Sequence, residues 1–105
     1  MYNLFLDDKF QPKDKRQFPG DGSIYDTAEF VVAKSFEEFY QVIKQRGIPK
    51  FVSFDYQILG NETGLDCAEF LKLECKELEV DFPDYRVHSN WPGIWSEFKK
   101  IVDAK

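Results

Sequence analysis

Two short stretches decide how this chain is read: Leu4-Phe5-Leu6-Asp7-Asp8 and Phe51-Val52-Ser53-Phe54-Asp55. Each is an apolar run that stops at carboxylate. Near-continuous apolar runs of this length fit parallel strands covered on both faces. If the two runs are neighbours in one sheet, Asp7, Asp8 and Asp55 meet at a single edge. Three carboxylates about 5 Å apart repel by roughly 3 kcal/mol per ionised pair at an effective dielectric near 20. A divalent cation is the usual compensation, because hard cations take oxygen ligands.

Working outward, four strands alternate with three helices. The strands are expected at about 3–6, 30–33, 51–54 and 85–88. The fourth alternates, with Tyr85 and Val87 on one face and Arg86 and His88 on the other, as in an edge strand. Ser35 and Glu38 form a Ser-x-x-Glu capping box for the first helix, whose stripe is Phe36, Phe39, Tyr40 and Ile43. Gly47 and Pro49 end it. The second helix begins near Thr63-Gly64 and turns Leu65, Ala68, Leu71, Cys75 and Leu78 inward. The third follows Pro92 and faces Ile94, Trp95, Phe98, Ile101 and Val102 to the core. With right-handed crossovers the expectation is an open parallel α/β sheet of about four strands with about three helices. One domain spans 1–105.

The composition supports a packed core: 43% of residues are hydrophobic and 17% aromatic. A net charge of −5 argues against a nucleic-acid polymer, which needs a basic stripe. The nearest basic cluster is Lys13, Lys15 and Arg16, in a polar loop. No apolar run approaches the ~18 residues of a membrane span, and no signal pattern opens the chain. Tyr2 excludes N-myristoylation. Cys67 and Cys75 stand roughly 12 Å apart along one helix, too far for a disulfide. They read as core residues of a cytoplasmic protein. The long segment from Lys9 to Glu29 has no helical period, and loops of that length are often functional.

In open parallel sheets ligands sit beyond the carboxyl ends of the strands. Asp7, Asp8, Asp55, His88 and Ser89 all fall on that edge. Each alone has a plain structural reading, as a turn, cap or hydrogen-bonded core residue. Together they suggest Mg2+ or Mn2+ on Asp7, Asp8 and Asp55, with substrate phosphate completing the shell. His88, the single histidine, can protonate a leaving oxygen or hold phosphate. Ser89 and Asn90 can donate to the same group or cap the last helix. Gly60-Asn61-Glu62-Thr63-Gly64 feeds a helix N-terminus, a weak anion signal that includes Thr63. Trp91 is expected to bury against the sheet, a partner surface being the alternative.

Four segments in register, Leu4–Lys9, Phe51–Asp55, Thr63–Asp66 and Val87–Asn90, resemble the cyclic-phosphate processing receiver domains. The resemblance implies a receiver- or flavodoxin-like sheet of order 2-1-3-4 that lacks the fifth strand. It further implies metal on Asp7 and Asp8, a phosphoacceptor or metal-ligand role for Asp55, and phosphate contact by Ser89. It also implies that His88 and Asp55 act in processing a cyclic phosphate, possible ligands being cyclic nucleotides. Two departures stand out. Where the family commonly reads Phe-Asp-His-Asp-Leu-Gly, this chain has Phe54-Asp55-Tyr56-Gln57-Ile58-Leu59-Gly60. The family's Pro-x-Gly-Arg becomes Pro92-Gly93-Ile94 after Trp91. A catalytically inactive nucleotide- or protein-binding module is therefore the alternative to a metal-dependent phosphodiesterase. An aspartyl-phosphate switch on Asp55 is third, since the receiver's characteristic lysine has no counterpart.

Overall fold

A computed structural model describes residues 2–9, 29–89 and 91–104. Four strands are present: β1 (Asn3–Leu6), β2 (Phe30–Ala33), β3 (Phe51–Phe54) and β4 (Asp84–Val87). The helices are α1 (Phe36–Arg46), α2 (Gly64–Leu78) and α3 (Ile94–Asp103). All strands are parallel, in the order β2-β1-β3-β4. The expected fold is thus the observed one, and the chain positions of the strands differ only at β4. There the strand starts and ends one residue early, although the His88 N–H still donates to the Phe54 carbonyl at 2.9 Å.

The sheet has two unlike faces. Leu4, Leu6, Ala33, Val52, Phe54 and Val87 form one cluster with Phe39, Ile43, Ala68, Leu71, Cys75, Ile94 and Phe98 of the three helices. Phe54 is its hub, with ring centroids 5.1 Å from Phe98 and 6.1 Å from Phe39. Phe5, Phe51 and Ser53, on alternate residues, are buried outside that cluster. Phe30 links the two aromatics of this second face, edge-on to Phe5 and Phe51.

The helix ends follow local chemistry. Ser35 Oγ accepts from the Glu38 N–H, while the Glu38 carboxylate accepts from Lys34 rather than from Ser35. The box is therefore opened by one residue, and one further donor before α1 is still satisfied. Gly47 closes α1 with φ +84°, a conformation that favours glycine. Thr63 and Asp66 complete a reciprocal capping box on α2. At Gly64 the chain approaches β3 so closely that an added Cβ would lie 1.7 Å from the Asp55 carbonyl oxygen. No side chain larger than hydrogen fits there.

Three expected inward residues face elsewhere. Trp95 is half exposed and rests near Tyr85, because the buried stripe of α3 runs Ile94, Phe98, Ile101 and a neighbour of Ile94 is turned about 100° away. Leu78 is exposed in the last turn of α2. Trp91 is half exposed and packs on Tyr56, at 5.4 Å between centroids, instead of burying against the sheet. The helix after Pro92 starts at Ile94, with Gly93 as its N-cap in the left-handed region. Cys67 and Cys75 are buried and unpaired, and burial pushes both thiols up.

Candidate functional site

Strand register assembles the site. Asn3 lies opposite Phe51 and Phe5 opposite Ser53, while Ser53 lies opposite Arg86. Two residues further along each strand, on the same face, come Asp7, Asp55 and His88. The ladder continues that far, since Asp7 N–H donates to Ala33, Asp55 N–H to Leu6 and His88 N–H to Phe54. The three side chains therefore form one row across β1, β3 and β4. One ligand atom from each lies within 4.8 Å of the others.

Asp7 and His88 are buried and Asp55 is half buried. His88 Nε2 lies 2.9 Å from Asp7 Oδ2, and His88 Nδ1 lies 2.6 Å from Ser53 Oγ. The imidazole stacks on Phe5 with centroids 4.7 Å apart and planes 4° off parallel. Backbone donors help orient the acids: Lys9 N–H to Asp7 Oδ1 and Tyr56 N–H to Asp55 Oδ1, both 2.8 Å. Two carboxylates and an imidazole converge on one small volume.

The donor set fits a divalent cation. Octahedral bonds of about 2.1 Å place neighbouring ligands about 3 Å apart and opposite ones about 4.2 Å apart. The Asp7–His88 separation of 2.9 Å matches the shorter value. The 4.8 Å bound on the cluster needs only a small inward movement of a side chain. An imidazole among the donors suits manganese or a later transition ion as well as, or better than, magnesium.

Asp8 does not join the row. It is not among the residues whose ligand atoms come together with those of Asp55 and His88. It lines a surface hollow with Lys9, Gln57, Ile58, Gly60, Asn61, Glu62 and Thr63. Thr63 Oγ1 accepts from Leu65 N–H, and the Thr63 N–H donates to Asp66 Oδ2. Ser89 is half buried beyond β4, its Oγ accepting from Trp91 N–H. Asn90, Lys13, Lys15 and Arg16 lie outside the described residues. Ser53 was not anticipated as a site residue. Its signal was a single hydroxyl inside an apolar run, two places before Asp55 and hence on the same face.

A family model for the cyclic-phosphate processing receiver domain matches residues 2–103. The chain belongs to that family. A solved structure titled as a yeast Spc42 trimeric coiled coil, amino acids 181–211, fused to another structure shares its fold. The TM-score is 0.63 at 15% identity, covering 97% of this chain and 61% of that one. No curated protein is significantly similar in sequence. In this receiver-domain chain, no described helix is long and apolar enough to cross a membrane.

Proposed function

We propose that this domain holds a divalent cation between Asp7, Asp55 and His88 and through it binds, and acts on, a phosphate ester of the cyclic-phosphate class. The supporting observation is the row of two acids and one imidazole at the carboxyl ends of three adjacent parallel strands. Ligands of open α/β sheets sit at that edge. When bound, such a cation polarises a phosphoryl oxygen and acidifies water. Ser89, just beyond β4, is the residue that would donate a hydrogen bond to a phosphate oxygen in this reading. The burial of His88, with both ring nitrogens already engaged, favours ligation over proton shuttling.

Calorimetric titration with manganese tests the site. Wild type is expected to bind one ion and Asp55→Asn to bind it at least about ten-fold more weakly. Equal binding by the two proteins, or none by either, removes the metal site. Incubating the manganese-loaded domain with a cyclic mononucleotide and following phosphorus resonances then reports turnover.

One observation favours a second reading, binding without turnover. Tyr56 and Gln57 stand where the family pattern has a histidine and an acid. The Tyr56 ring is committed to Trp91, and Gln57 bridges to Thr63. Replacing them by His and Asp is then expected to create activity that wild type lacks; hydrolysis by wild type sinks this reading.

A further inference from the structure

Two tryptophans of this domain are half exposed, and each rests on a tyrosine. Trp91 meets Tyr56 and Trp95 meets Tyr85, with ring centroids 5.4 Å and 6.3 Å apart. The second pair lies near the start of β4; the first stands at the edge where the acids gather. Tyr56 directly follows Asp55 after β3, and Trp91 comes three residues after His88, beyond the neighbouring β4. Three residues reach at most about 11 Å, so the Trp91 backbone lies within that span of the row. Both rings are carried on backbone tied on either side. Tyr56 N–H donates to Asp55 Oδ1, and its carbonyl accepts from Gly64 N–H. Trp91 N–H donates to Ser89 Oγ, and its carbonyl accepts from Ile94 N–H across the turn made by Pro92 and left-handed Gly93. The rings are tilted by 43°, so Tyr56 braces the indole without covering it, and Trp91 remains 52% exposed.

We propose that Trp91, braced by Tyr56, is a base-stacking platform: it takes the purine of a nucleotide whose phosphate meets the row of Asp7, Asp55 and His88. The proposal rests on the phosphate reading above and adds to it the class of ester. A phosphate held at the row leaves the remainder of the ester beyond the same strand ends. A nucleobase offers a flat π-face there, and stacking on an aromatic side chain is a strong, base-tolerant contact. A ring fixed in advance loses little freedom when the ligand arrives. Quaternary ammonium groups, the other ligands that aromatic faces favour, are ordinarily held in a cage of rings. Trp91 and Tyr56 instead make one tilted pair with an open side.

AMP and ribose 5-phosphate share a sugar and a phosphate and differ in the base, so the ratio of their affinities isolates stacking. Calorimetry on the manganese-loaded domain is expected to give AMP about ten-fold tighter binding than ribose 5-phosphate. Trp91→Leu is expected to bring AMP down to the ribose 5-phosphate level, and Trp91→Phe to keep most of the preference. Trp95→Leu, which removes the other half-exposed indole, leaves the ratio at its wild-type value. Equal binding of the two ligands by wild type with manganese bound overturns the platform and leaves the cation reading standing. So does a Trp91→Leu ratio that matches wild type, which is what a merely structural ring pair gives. Tighter binding of phosphocholine than of AMP overturns it in favour of a cation–π site. If manganese does not bind, the fluorescence of Trp91, the only indole left in Trp95→Phe, decides. Quenching by AMP but not by ribose 5-phosphate then supports the platform while the cation reading fails; no response overturns both.

Discussion

The two faces of this sheet solve different problems with alternate residues of the same strands. On one, Leu4, Leu6, Val52 and Phe54 meet three helices in an apolar cluster. On the other, Phe5 and Ser53 lead directly to Asp7, Asp55 and His88. The first face holds the fold by burial, roughly 25 cal/mol per Å2 of apolar surface. The second places groups that are costly to bury and compensates them by mutual hydrogen bonds. The lesson is that one residue of strand register separates stability from chemistry. Asp7 and Asp8 are neighbours in the chain, yet only Asp7 falls in the row with Asp55 and His88.

The comparison breaks most visibly on the apolar face. Phe54→Ala removes the hub ring and is expected to cost about 4 kcal/mol in urea unfolding, close to the whole stability of a small domain. Gly64→Ala should cost about 3 kcal/mol or more, because its Cβ overlaps the Asp55 carbonyl, a backbone atom with little room to move. A loss below about 1 kcal/mol would show that α2 can slide away from β3. Thr63→Ala should cost about 1 kcal/mol, the usual value of an N-cap. The polar face is sharpened by Asp8→Asn, the smallest expected effect. Manganese affinity should stay within about two-fold of wild type, whereas Asp55→Asn weakens it at least about ten-fold. A drop in Asp8→Asn comparable to that in Asp55→Asn would break the assignment of the site to a single row.

Much of this is legible in the chain because the signals are local. Short apolar runs ending in Asp mark β1 and β3, and Ser35 and Thr63 mark helix starts through side chains that reach only two or three residues. The misread residues depend on longer relations. Trp95 sits one residue from a buried position, and its exposure follows from the rotation of α3 against β4. Trp91 was assigned to the sheet, yet its partner is Tyr56, 35 residues earlier. His88 was placed at the correct edge, but not as a neighbour of Asp7, because their contact spans 81 residues.

The sequence by itself determined the parallel α/β fold, its strand order and the edge where acids gather. Hydrophobic period, capping chemistry and crossover handedness are properties of short segments. Only the tertiary structure decided which acids share a site. The row of Asp7, Asp55 and His88 depends on the register of three strands, and a shift of one residue would turn Asp8 inward and Asp7 out. The same register sets Ser53 beside His88, so that a lone hydroxyl inside an apolar run becomes a partner of the only imidazole in the chain.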